Sequence, residues 1–90
     1  MSRAFVNEDA GSGAPRRNYH LPPREDPDFD RLAARALLEA ARIGETESAE
    51  VATGYLWGEP TLHGHVREVL SEAVRTGDER LEQVARRFLR

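Results

Sequence analysis

The 90-residue sequence contains no cysteine, no lysine, few aromatic side chains and no long apolar run. Without cysteine, a disulfide framework and thiolate chemistry are excluded. No segment approaches the roughly 20 apolar residues that cross a bilayer, and no signal-peptide pattern is present, so we expect a cytoplasmic protein without membrane contact. The length suffices for one domain.

Arginine is the only residue type among the basic side chains. All thirteen basic residues are arginine, and the net charge is −3. A negative balance argues against a chain wrapped by nucleic acid. The guanidinium group is planar and has several donors, which suits protein interfaces better than the lysine ammonium does.

The clearest pattern lies between Pro60 and Arg90 and predicts two amphipathic helices. Gly77 is typical of the left-handed position after a helix, and Asp78 is typical of an N-cap. Helices joined by so short a turn pack against each other through their apolar faces. These faces consist of Leu62, Val66, Val69, Leu70, Ala73 and Val74 in the first helix and Leu81, Val84, Ala85, Phe88 and Leu89 in the second.

A further helix is predicted from Asp28, a candidate N-cap, to Gly44. One face carries apolar residues at helical spacing, namely Phe29, Leu32, Ala33, Ala36, Leu37, Ala40 and Ile43. Leu38 points nearly opposite Phe29. It is either a singly exposed leucine or a contact with a partner or a second layer.

Residues 46–53 predict a short helix that Thr46 can cap and Gly54 can end. The next segment, Tyr55-Leu56-Trp57, holds three large apolar residues between glycines. We expect it to plug the end of the core between the first helix and the hairpin. The alternative is an exposed aromatic anchor for a partner, because tyrosine and tryptophan dominate interface hot spots.

Residues 1–27 have the glycine and proline content of a flexible arm. Two islands, residues 3–6 and residues 18–21, place an aromatic and an aliphatic residue beside basic or polar ones. The arm is either unstructured and without a role, or it carries a short motif that folds onto a partner or onto its own domain.

The opening residues Met1-Ser2-Arg3-Ala4-Phe5-Val6-Asn7-Glu8-Asp9 resemble the start of some bacterial GreA/GreB-type transcription elongation factors. The other 81 residues (90 − 9) lack that family's long coiled-coil hairpin with its acidic tip and its following β domain. The resemblance therefore implies a shared leader used for docking and does not extend to the family's activity.

Catalytic and metal-binding patterns are missing. His63 and His65 lie two positions apart, so a helix points them in different directions and cannot aim both at one ion; an extended chain would. The carboxylates are scattered over polar helix faces, and no nucleophile elbow, phosphate loop or dinucleotide motif occurs. We expect no enzyme, no metal and no cofactor.

The last helix presents a polar and basic face opposite its apolar one. Helix, short turn and helix also suggest helix-turn-helix geometry. However, the first helix of the pair is long for that motif, and a cap-to-cap turn sets the helices antiparallel. The face consists of Arg80, Gln83, Arg86, Arg87 and Arg90.

The sequence thus predicts an all-α domain of three to four helices over residues 28–90, preceded by a disordered arm over residues 1–27. The expected function is a protein-interaction module that binds another protein or itself as a homodimer. The alternative is a transcription-associated regulator that contacts nucleic acid or RNA polymerase through the basic face. The candidate partner-binding residues are Phe5, Tyr19, Leu21, Leu38, Tyr55 and Trp57.

Overall fold

The computed structural model describes residues 19–90 and confirms the all-α prediction. It contains four α-helices, and within these residues there is no strand. No helix of the described chain is long and apolar enough to span a membrane. The helices are α1 (Phe29–Arg42), α2 (Thr46–Thr53), α3 (His63–Thr76) and α4 (Glu79–Phe88), and a short 3-10 helix, Pro60–Leu62, leads into α3.

Helix α1 lies at the centre of the domain and contacts α2, α3 and α4, whereas α2 packs on α1 alone among these helices. Because α1 has neighbours on two sides, both Leu37 and Leu38 are fully buried. The interpretation of Leu38 as an exposed leucine is therefore wrong, and its second-layer alternative is what the structure shows. Ala34, one of the alanines that flank Leu38, is also buried and widens the apolar face of α1.

Helices α3 and α4 form the predicted hairpin, closed by caps on both sides of the turn. Gly77 has φ of 76°, and the next amide, Asp78 N–H, donates to the Ala73 carbonyl at 2.9 Å. This is the hydrogen bond that ends helices with a left-handed residue. The Asp78 carboxylate then accepts from Leu81 N–H at 3.1 Å and caps α4, as predicted.

Two residues predicted on core faces are half exposed. Ile43 and Val74 each expose 53% of their surface. Both residues lie near the end of the domain where Arg42 and Asp78 pair at 3.7 Å. At this end, the apolar faces of α1 and α3 extend past the buried core.

Two predicted N-caps also differ from the structure. Asp28 occupies the N-cap position of α1 but makes no capping hydrogen bond; its carboxylate pairs with Arg31 at 3.4 Å instead. Thr46 is the first residue of α2, so Glu45 takes the N-cap position.

Residues 19–27, which the sequence assigns to the flexible arm, lie against the helices. Tyr19 packs on the core, and Arg24 Nη1 donates to the Thr53 carbonyl at 2.7 Å. A turn in which Asp26 N–H donates to the Pro23 carbonyl at 2.9 Å leads into α1. The packed region therefore begins ahead of the predicted boundary at Asp28, because long-range contacts hold a segment whose composition favours disorder.

Candidate interaction site

The loop of residues 54–59 connects α2 to the 3-10 helix and is fixed by hydrogen bonds from its own backbone. Tyr55 N–H donates to Thr53 Oγ1 at 3.1 Å, and Trp57 N–H donates to Glu50 Oε2 at 2.8 Å. Glu59 N–H donates to the Leu56 carbonyl at 3.1 Å. The Gly54 N–H also donates, to the Glu50 carbonyl at 2.9 Å, so four amides of the loop are satisfied within the domain and give it a defined conformation.

Tyr55 attaches this loop to the start of α1. Its hydroxyl donates to Asp30 Oδ1 at 2.7 Å, and its half-buried ring lies 6.4 Å from the ring of Phe29, centroid to centroid. The hydrogen bond to Asp30 raises the pKa of Tyr55 above its ordinary value, and burial adds to this effect, while the nearby Arg24 charge opposes it. The phenol is therefore neutral and acts as a donor at physiological pH.

Trp57 attaches the other side of the loop to the hairpin. Its ring meets the ring of Phe88 edge to face, with 4.8 Å between centroids. His63 also contacts Phe88, at 5.9 Å, and its Nε2 lies 3.0 Å from the Gly58 carbonyl. Since a carbonyl only accepts, this nitrogen carries the proton. The indole, the imidazole and the phenyl ring together cover one end of the core.

Leu56 lies between these two anchored aromatic residues and points away from the core. Its exposed fraction is 70%, whereas Tyr55 and Trp57 are partly buried and packed against the core. The predicted plug therefore consists of Tyr55 and Trp57 without Leu56. The loop presents a large aliphatic side chain to solvent on a backbone that its neighbours hold in place.

The other predicted partner-binding residues do not gather at this loop. Phe5 lies outside the described residues, as do residues 1–9, which carry the family resemblance. Tyr19 and Leu21 are partly buried, and the Tyr19 hydroxyl is buried without a hydrogen-bond partner within residues 19–90. Leu38 is enclosed in the core. Of the predicted partner-binding residues that the structure describes, those accessible to a partner lie in the loop and in the partly buried segment before α1.

The predicted basic face of α4 is exposed as a whole. Its members Arg80, Gln83, Arg86, Arg87 and Arg90 are all exposed. Arg86 is bound by Glu82 of the same helix, with nitrogen–oxygen distances of 3.1 and 2.9 Å. Within the described part of the chain, Arg80, Arg87 and Arg90 form no ion pair.

The two histidines of α3 have separate surroundings. His63 contacts the loop and Phe88, whereas His65 Nδ1 lies 4.0 Å from Glu68 on the same helix. Across residues 19–90, no group of three or more histidine, cysteine or acidic residues is placed to hold a metal ion.

Sequence reasoning missed the exposure of Leu56 and the contact that Arg24 makes. Leu56 is flanked by two residues of similar apolar character, so composition alone does not separate it from them. Arg24 lies 29 positions from Thr53, and no local pattern links the two.

Comparison of the chain with protein-family models, with curated proteins and with solved structures finds no match.

Proposed function

We propose that this chain is a small cytoplasmic interaction module that binds another protein through the loop of residues 54–59, with Leu56 as its anchor. The observation that carries the proposal is the 70% exposure of Leu56 on an otherwise anchored loop. The cytoplasmic location is part of this proposal, and a composition that needs no oxidising compartment for disulfides is consistent with it.

A singly exposed leucine is common on protein surfaces. Leu56 differs because the residues on both sides of it are held by contacts with other elements, Tyr55 with Asp30 and Trp57 with Phe88. A side chain presented on an ordered loop loses little conformational freedom on binding, which favours affinity. The aromatic rings on either side supply further contact area at the edge of the anchor.

The test is a matched pair of variants, Leu56→Ser and Val51→Ser. Val51 on α2 is 72% exposed and so controls for the loss of an exposed aliphatic side chain. Affinity capture from the source cell with the wild-type chain should retain a partner that L56S loses and V51S keeps. Equal capture by both variants would contradict the role of the loop.

Self-association is the version of this proposal in which the partner is a second copy. Sedimentation of the purified chain over a range of concentrations measures it directly. We expect L56S to shift any dimer toward monomer while V51S leaves it unchanged. A wild-type chain that stays monomeric at high concentration removes the homodimer and leaves a different protein as the partner.

Residues 1–26 enter the proposal through their sequence, as a docking arm with the leader-like residues 1–9. Capture with and without residues 1–26 tests this role. An unchanged set of bound proteins would show that the arm has no part in docking. Because this deletion also removes Arg24, R24A serves as the control that separates loss of the arm from loss of that contact.

The unpaired arginines on α4 and just after it favour a second candidate function, contact with nucleic acid. Three exposed guanidinium groups that reach phosphates would give a dependence of log affinity on log salt with a slope of about −3. Fluorescence anisotropy with random duplex DNA at low salt tests it, with Arg80, Arg87 and Arg90 changed to glutamine. The change of Arg67 and Arg75 on α3 to glutamine is the control. Absence of binding at low salt would end this candidate.

A further inference from the structure

The Arg24 guanidinium lies over two aromatic rings and against a helix end. Its Cζ is 5.1 Å from the centroid of the Phe29 ring and 5.3 Å from that of Tyr55. Its Nη1 donates to the Thr53 carbonyl at 2.7 Å. One side chain thus combines two cation–π contacts with a charge-assisted hydrogen bond.

The groups that contact Arg24 all belong to the helical domain and are held there by other residues. Phe29 is the buried first residue of α1, and Tyr55 is fixed through its hydroxyl by Asp30. The Thr53 carbonyl lies at the C-terminal end of α2, where the helix dipole favours a cation. Each of the two rings therefore has contacts within the domain besides Arg24.

Gly54 keeps the space for the guanidinium open. A Cβ atom added to this glycine would lie 2.5 Å from Arg24 Nη1. The rings of Phe29 and Tyr55 therefore form two walls of the site and the Thr53 carbonyl is its acceptor. Gly54 lacks the side chain that would otherwise occupy the position of the guanidinium. We call this site the arginine slot and define it by Phe29, Thr53, Gly54 and Tyr55.

We propose that the arginine slot is a binding site for an arginine side chain, which Arg24 fills within the chain and which an arginine of a partner protein fills when Arg24 leaves. The planar guanidinium stacks on rings and still presents N–H donors at its edge, whereas the lysine ammonium is a compact, strongly hydrated charge. The chemistry of the slot thus selects arginine over lysine.

Arg24 has the advantage of being in the same chain, which gives it a high effective concentration at the slot. A partner displaces it only by adding contacts of its own elsewhere. The slot shares Gly54 and Tyr55 with the loop of the proposed function, but it uses neither Leu56 nor the basic face of α4. Leu56→Ser tests the loop and Arg24→Ala tests the slot, so failure of one proposal is distinguishable from failure of the other.

The experiment empties the slot and offers it a ligand from solution. The full-length Arg24→Ala variant is titrated with N-acetyl-arginine amide, and N-acetyl-lysine amide at equal ionic strength is the matched control. Thermal unfolding and the NMR resonances of the Phe29 and Tyr55 rings are followed. Arg31→Ala removes an exposed arginine that contacts no ring within residues 19–90, and it controls for the loss of charge.

We expect R24A to lower Tm by roughly 4–8 °C and R31A to lower it much less. The arginine compound should restore several degrees to R24A at millimolar concentration and shift both rings, while wild type, whose slot is full, responds little. Equal responses to the arginine and lysine compounds, or equal responses of wild type and R24A, would overturn the proposal. If R24A lacks a cooperative transition, Arg24→Lys is titrated instead under the same two criteria.

Discussion

The two ends of this domain are built in different ways. At the hairpin end, the turn is closed by hydrogen bonds between residues no more than five positions apart, such as Asp78 to Ala73. At the loop end, short-range hydrogen bonds fix the backbone of the loop, but the contacts that attach it to the start of the domain join residues far apart in the chain, 25 positions for Tyr55 and Asp30 and 29 for Arg24 and Thr53. Local sequence thus determines the first end, while the second forms only when the helices have come together.

The largest expected loss of stability comes from truncating Phe88, the residue that joins the hairpin to the loop. Phe88→Ala removes a fully buried ring that contacts Trp57 and His63, and we expect a loss of about 3–5 kcal/mol in the free energy of unfolding. Urea unfolding followed by circular dichroism and by the fluorescence of Trp57, the sole tryptophan, measures it.

The matched control is Leu56→Ala, which removes an exposed side chain of the loop and should change stability by less than about 0.5 kcal/mol. If the two variants are equally stable, Phe88 does not support the loop end and the comparison between the two ends fails.

A smaller effect separates Gly77 and Gly54, two of the four left-handed glycines within residues 19–90. Gly77→Ala places a side chain in open space at a φ of 76° and should cost about 1–2 kcal/mol through backbone strain. Gly54→Ala adds the displacement of Arg24, whose flexible side chain swings away and loses its contacts, so we expect about 1 kcal/mol more.

A double-mutant cycle tests the source of this difference. In the R24A background, Gly54→Ala should cost no more than Gly77→Ala does. An excess that persists without Arg24 would show that the loop end is sensitive to Gly54 for a reason other than the arginine slot.

The smallest effect is on the pH dependence of stability. Because the hydrogen bond to Asp30 raises the pKa of Tyr55 in the folded state, its contribution is complete below the unfolded-state pKa of about 10 and is lost as the pH rises through the higher folded-state value. Tyr55→Phe keeps the ring and lacks this contribution. Stability curves of wild type and Y55F should converge above about pH 10, and parallel curves would contradict the prediction.

The contrast between the hairpin end and the loop end also explains which parts of the fold the sequence predicts. Helical periodicity and the Gly77-Asp78 signal predict the hairpin, because each acts within one or two turns of chain. Leu38 was ambiguous because its burial depends on helices packing against more than one side of α1, which its own spacing in the sequence does not reveal. Arg24 contacts the domain and Leu56 is exposed to solvent. Both outcomes depend on contacts between separate elements, which no spacing along the chain predicts.

The central position of α1 has a consequence for the order in which the domain opens. Since α1 contacts all three other helices, its backbone amides should exchange with solvent deuterium only through global unfolding. Among the helices, α2 packs on α1 alone, so we expect it to detach before the others and to expose its amides at a lower free energy. We therefore expect α1 to keep its protection from hydrogen exchange longest and α2 to lose its protection first.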